Sequence, residues 1–193
     1  MKIAIVGNIA SGKSEVEKIL INQGLCVYDS DKIAHKILES SSEVKEKFGT
    51  TDRKKIASIV FNDDEKKSLL EKIIHPLVRK EIEELDGDVF VSVPLLFEAG
   101  FEDIFDKIVF VSAPENIRLT RLIKRNNLTE GEAKKRINAQ LPQEEKIKKA
   151  DFVINNDSDL EHLEKEVQYL LDNLAALYIS NKDSAKNVPN NNK

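Results

Sequence analysis

Apolar residues along this chain alternate between two periods. Ile3-Ala4-Ile5-Val6 is an uninterrupted apolar run, the mark of a strand covered on both faces. Residues 15–23 then set Val16, Ile19 and Leu20 at helical spacing and stop at Gly24, where a C-terminal cap is expected. Leu25-Cys26-Val27-Tyr28 predicts a second strand that delivers Asp29-Ser30-Asp31 at its carboxyl end, with a helix following from Lys32. Residues 43–86 are rich in Lys and Glu and helical in period, with Phe48, Ile56, Leu70, Ile74 and Val78 among the packing positions, and predict an inserted helical region. Residues 89–93 and 108–111 are apolar on both faces, as central parallel strands tend to be, and 152–154 predict a fifth strand. Between the last two come a helix over 114–125 and a charged hairpin of helices over 129–149. A final amphipathic helix over 160–178 carries Leu163, Val167, Leu170, Leu171 and Leu174 on one stripe, and the tail 181–193 lacks apolar content and is expected to be disordered. Strands alternating with helices imply an α/β fold with a parallel, helix-covered sheet whose ligands sit at the strands' carboxyl ends, near Lys13, Asp31, residues 94–98 and Ala113.

At 193 residues the chain suits one α/β domain with a small insertion. A formal charge of −4 argues against general affinity for nucleic acid or anionic membrane, so any positive site is local. No apolar run approaches the ~20 residues of a membrane span, and the chain enters its first strand without signal-peptide features, so a cytoplasmic protein is expected. Cys26 is the sole cysteine; flanked by Leu25 and Val27, it reads as a small buried apolar residue. His35, His75 and His162 lack metal-ligand spacing, and His75, ahead of Pro76, reads instead as a polar contact in a substrate cleft.

Residues 7–14 read Gly-Asn-Ile-Ala-Ser-Gly-Lys-Ser, a full match to the phosphate-loop pattern GxxxxGK[ST], set between a strand and a helix as that pattern requires. The helix turns its free N–H groups and positive end toward the loop, which makes a nucleoside triphosphate the natural ligand. Lys13 is expected to reach the β- and γ-phosphate oxygens, and the Ser14 hydroxyl to hold Mg²⁺. Asp29 and Asp31 end the second strand; an ionised aspartate there can accept a hydroxyl proton beside the γ-phosphoryl group, or the pair can simply cap the following helix. Arg118, Arg121 and Arg125 share a helix face pointing away from Leu119 and Leu122, and Arg136 follows in the charged hairpin. Such guanidinium groups suit a transferring phosphoryl group, or else form a solvated face.

Six segments, in order, resemble the dephospho-coenzyme A kinase family: Gly7 to Ser14; Val27-Tyr28-Asp29-Ser30-Asp31 with Ala34; Ile74-His75-Pro76-Leu77; Val93-Pro94-Leu95-Leu96-Phe97-Glu98; Arg121 through Arg125 with Arg136-Ile137 and Gln140; and Ala150 through Asn156. The His-Pro-Leu and Pro-Leu-Leu-Phe-Glu segments are the specific ones. The resemblance implies a P-loop kinase fold with a five-stranded parallel sheet, residues 1–180 forming one domain of core (1–40 and 87–180), helical acceptor-binding insertion (41–86) and lid (126–149). It implies ATP-dependent phosphorylation of the ribose 3′-hydroxyl of dephospho-coenzyme A, with an alcohol group as acceptor, as the last step of coenzyme A synthesis. In that likeness Asp31 is the general base, Lys13 bridges the phosphates, Ser14 holds Mg²⁺, and Arg121 with Arg136 neutralises the transferred group. ATP is expected to contact Gly7, Ile9, Ala10, Ser11, Gly12, Lys13, Ser14, Glu15, Arg125, Arg136 and Asn155. The acceptor is expected to contact Asp29, His75, Pro76, Arg79, Pro94, Leu95, Leu96 and Glu98. The expected partners are these two small molecules, with neither nucleic acid nor membrane, and a monomer is the expected state.

The chain departs from the family pattern at three places. Asn8 and Ala10 replace two loop glycines, so Ala10 is expected to have ordinary dihedrals. The stretch between Gly49 and Arg53 looks shortened, and Asn126 stands where an Asp commonly follows the arginine, so an ion pair is expected to be missing. Another small-molecule or nucleoside monophosphate kinase would share the loop, the strand-two Asp and the arginines, and acceptor choice separates the two readings. A GTPase switch would need Asn-Lys-x-Asp after a strand, and an assembly ATPase a strand ending in Asp-Glu; neither pattern occurs.

Overall fold

The first apolar run forms β1 (Lys2–Gly7), and its alternating side chains feed two different cores: Ala4 and Val6 pack on one face, Ile3 and Ile5 on the other. The computed structural model describes residues 1–186, with side chains through Ile179. Around β1 the strands β2 (Val27–Asp29), β3 (Val89–Ser92), β4 (Lys107–Ser112) and β5 (Phe152–Asn155) make a five-stranded sheet in the order β2-β3-β1-β4-β5, every pair parallel. The chain leaves β1 toward the β2–β3 side and later returns to the β4 side, so the sheet changes winding direction at the carboxyl end of β1, where open α/β sheets bind ligands.

One face is covered by α1 (Lys13–Asn22) and α10 (Leu160–Lys186), whose stripe of Leu163, Val167, Leu170 and Leu174 is buried. The other face carries α2 (Ser30–Ser40), α3 (Ser42–Phe48), α4 (Arg53–Val60) and the long α5 (Asp64–Glu83), packed through Val44, Ile56, Ile74, Val78 and Ile82. Local chemistry sets these helix limits. Ser41, Asp52 and Asp63 each accept a backbone N–H as N-caps, and Gly49, at φ 71°, ends α3 in the left-handed region. The short stretch from Gly49 to Arg53 is thus one stop signal followed by one start signal. A one-turn helix α6 (Leu96–Ala99) follows β3, and α7 (Glu115–Asn126) follows β4. The charged hairpin is α8 (Glu130–Asn138), opened by a Thr129/Glu132 capping box, and α9 (Gln143–Ile147).

Two expectations change here. Cys26 is exposed rather than buried, because β2 lies at the sheet edge, where Tyr28 is exposed as well. The last helix continues past Asn181 through Lys186, since adding a residue to an existing helix needs no new nucleus; the remainder of the tail expected to be disordered lies outside the described residues. Among the described residues no helix is long and apolar enough to cross a membrane.

Candidate active site

The loop leaving β1 is held in shape by its neighbours. Ser11 N–H donates to Asn8 O at 3.0 Å, and Gly12, at φ 94°, hands the chain to α1, whose N-terminus has no side-chain cap and so keeps its first N–H groups free. A Cβ on Gly12 would lie 1.8 Å from Asn156 Nδ2, so only glycine fits there. Ala10 does not have ordinary dihedrals. It sits at φ 63°, in the left-handed region that an L-residue occupies at a cost of roughly 1–2 kcal/mol. What holds it is packing: Ile9 and Ala10 lie against Leu122, Ala133 and Ile137, a small apolar cluster joining the loop to α7 and α8. Asn8, by contrast, has no positive φ; it is buried, and its Nδ2 donates to Leu141 O at 3.0 Å. Ile9 N–H donates to Gln140 Oε1 at 2.6 Å, so the connection between α8 and α9 grips the loop twice.

Lys13 is braced at the mouth of α1 by Glu17 Oε1, 2.7 Å from Nζ, and by the Ser92 hydroxyl at the end of β3. Arg121 donates to Ser11 O at 3.3 Å and to Asn156 Oδ1 at 3.2 Å, while Asn156 Nδ2 donates to the same Ser11 carbonyl at 2.7 Å. Asn156 belongs to the family-like segment 150–156 but is not itself one of the residues expected to contact ATP. That expectation falls on its neighbour Asn155, which is exposed and bonded to Glu166. The end of a strand does not reveal from sequence which of two adjacent asparagines turns inward.

Two cavities open at the carboxyl edge of the sheet. One, of about 640 Å³, is lined by the loop from Gly7 to Glu15 together with Pro94, Arg121, Arg125, Gln140 and Asp31. The other, of about 390 Å³, lies between α2, α4, α5 and the start of α6, with Leu38, Leu70, Ile74 and Leu95 as apolar wall and His35, Arg53, His75 and Asp31 as polar groups. Asp31 is the one residue that lines both. Asp29 and Asp31 divide the two roles considered for them: Asp29 caps α2, accepting from the N–H groups of Asp31 at 2.9 Å and Lys32 at 3.4 Å, and leaves Asp31 free to face the cavities. Desolvation by the surrounding protein pushes the Asp31 carboxyl above the ordinary aspartate value, with Asp29 adding to the rise; Lys13 and Arg53 pull it down, and Glu17 adds a last upward push.

The remaining candidates fall into two groups. Ser14, Glu15 and Arg125 line the loop cavity, Arg125 also donating to Asn126 Oδ1 at 3.0 Å in place of the absent carboxylate. Pro94 faces the loop cavity, and Leu95 and His75 the second one, His75 resting edge-on against Phe101 with ring centroids 5.5 Å apart. Others stand elsewhere. Pro76 lies within α5 without lining either cavity, and Leu96 is buried in the core. Glu98 is ion-paired at 2.7 Å to the buried Lys146. Arg79 is bound through both terminal nitrogens to Asp103 and through Nε to Glu83 at 3.0 Å, which keeps it out of the cavity. Arg136 is exposed on α8 and lines neither cavity. Arg118 is buried, its Nε donating to Ala113 O at 3.1 Å, so the three arginines of α7 do not act as one face: the first is structural.

Comparison with known proteins gives a consistent picture. A family model described as dephospho-CoA kinase matches residues 1–162. The dephospho-CoA kinase of Fusobacterium nucleatum is 44% identical, over 87% of this chain and 95% of its own length. Among solved structures, TT1252 from Thermus thermophilus superposes with a TM-score of 0.77 at 37% identity, covering 90% of this chain and 97% of that one. A dephospho-CoA kinase from Campylobacter jejuni superposes with a TM-score of 0.71 at 32% identity, covering 90% and 98%.

Proposed function

This chain belongs to the dephospho-CoA kinase family, and we propose that it transfers the γ-phosphoryl group of ATP to the ribose 3′-hydroxyl of dephospho-coenzyme A across Asp31. The observation that carries the reading is the position of that one carboxylate, on the wall shared by the phosphate-loop cavity and the apolar cavity. ATP lies with its phosphates on the loop, against the free N–H groups of α1, and the adenosine end of the acceptor enters the second cavity. Asp31 takes the hydroxyl proton as the 3′-oxygen bonds to the γ-phosphorus, while the bond to the β–γ bridging oxygen breaks and ADP leaves with coenzyme A as the other product. Lys13 sets a positive charge beside the oxygens that gain charge, and Arg121, fixed by Ser11 O and Asn156, sets a second. Arg136 on the α8–α9 lid completes the positive surround when that hairpin closes over the loop.

The loop suits magnesium, a hard cation that favours hydroxyl and phosphate oxygens: the Ser14 hydroxyl lines the loop cavity and would hold it beside the phosphates. When bound it offsets phosphate charge. The reading extends to the organisation of the chain as one kinase domain with residues 41–86 serving the acceptor and 126–149 the lid, acting as a cytoplasmic monomer.

The test is direct. Purified protein with Mg·ATP is expected to convert dephospho-coenzyme A to coenzyme A and to leave nucleoside monophosphates unphosphorylated; the opposite preference overturns the assignment.

A further inference from the structure

Within the proposed acceptor cavity, we infer that Arg53 reads the diphosphate of the acceptor and so determines specificity for a diphosphate-bearing nucleoside over the bare nucleoside. The inference rests on the functional reading above and adds a residue and a ligand group to it.

Arg53 is the only lysine or arginine lining that cavity, and among the described residues its guanidinium has no hydrogen bond or ion pair. Several other basic side chains on the neighbouring elements are occupied. Arg79 is bound by Asp103 and Glu83, Lys149 pairs with Glu102 and lies over the Phe97 ring, and His35 is beside Glu39. A free guanidinium is a planar fork suited to two phosphate oxygens at once, and it is less tightly hydrated than an ammonium. Helix stability gives no reason for an arginine here. Arg53 is the first residue of α4, at the positive end of the helix dipole, where a cation is unfavourable and where Asp52 already supplies the cap.

The remainder of the cavity defines what the cation must meet. Its acidic members are Asp31 and Glu71; Asp31 is committed to the hydroxyl, and its carboxyl responds to the charge of Arg53, so the two groups face the same space. Apolar walls from Leu38, Leu70, Ile74 and Leu95 suit an aromatic base or an alkyl arm, not an anion. An anionic group on a ligand whose ribose is at Asp31 therefore meets one lysine or arginine within this cavity, Arg53.

The experiment compares wild type, Arg53→Ala and Arg53→Lys in steady-state kinetics at saturating Mg·ATP. Two acceptors are used: dephospho-coenzyme A, and adenosine, which offers the same 3′-hydroxyl without the diphosphate. Arg53→Ala is expected to raise KM for dephospho-coenzyme A roughly 10- to 100-fold, the loss typical of a charge-assisted bond, with kcat falling much less. The preference for dephospho-coenzyme A over adenosine in kcat/KM should shrink by a similar factor, and Arg53→Lys should recover part of it. Equal losses for both acceptors, or an unchanged KM for dephospho-coenzyme A, overturn the inference while the kinase reading stands. A wild-type protein that makes no coenzyme A removes both.

Discussion

Asp31 keeps its proton to higher pH than an ordinary aspartate because protein surrounds its carboxyl and Asp29 stands beside it. A general base works only when ionised, so the acid limb of kcat/KM should lie above the ordinary aspartate value, with rate lost as pH drops through it. The sign can be tested through the neighbour. Asp29→Asn removes the adjacent negative charge yet retains a good N-cap for α2, so the limb should move to lower pH with the helix intact; a pH profile of the variant checks this. Folding linkage runs the other way. The folded chain binds that proton more tightly than the unfolded chain, so the stabilising contribution is present at low pH and is lost as pH rises through the folded value. Asp31→Asn should therefore abolish turnover while its thermal midpoint at neutral pH stays at or above that of wild type. Lys13→Ala should lower kcat about 10²- to 10³-fold by removing a charge felt mainly in the transition state. Gly12→Ala should cost at least ~1–2 kcal/mol from the left-handed backbone alone and displace Asn156, so calorimetry should show weaker ATP binding. At this scale the sequence was legible wherever a motif fixes a side chain's place, as with Lys13 and Asp31, which both line the loop cavity. It was not legible where neighbours decide: Ala10 takes a glycine-like conformation because an apolar cluster holds it there.

Elements were easier to read, since each strand and helix follows from its own periodicity and caps. Their neighbours were not, because strand order is absent from local pattern. Cys26 looks like a core residue in its apolar run and is exposed only because β2 is an edge strand; Arg118 looks solvated on its helix and is buried beneath it. The same limit applies to Glu98, whose segment marks it for the acceptor but whose carboxylate anchors α9 to α6 through Lys146, an ammonium 3% exposed. Glu98→Ala strands that charge, and the expected loss is about 1–3 kcal/mol, read from denaturant unfolding. Gln140 and Leu141 bond the loop from the α8–α9 connection and tie the turn of the hairpin to it.

For the molecule as a whole, one sheet carries two cores, and the two cavities proposed for the substrates open along its carboxyl edge. Each ligand that binds only the folded chain should stabilise it. Mg·ATP at a hundred times its dissociation constant adds about 2.7 kcal/mol, which for a chain of this size raises the melting temperature by roughly 5–11 °C, and differential scanning calorimetry reads that shift. The bond from Asn156 to the Ser11 carbonyl spans 145 residues and ties the loop after the first strand to the end of the last. On the ribosome, then, the loop that emerges earliest must wait for nearly the entire polypeptide before it gains its working shape. A chain cut short of β5 lacks Asn156 and is expected to hold nucleotide more weakly than the full-length polypeptide.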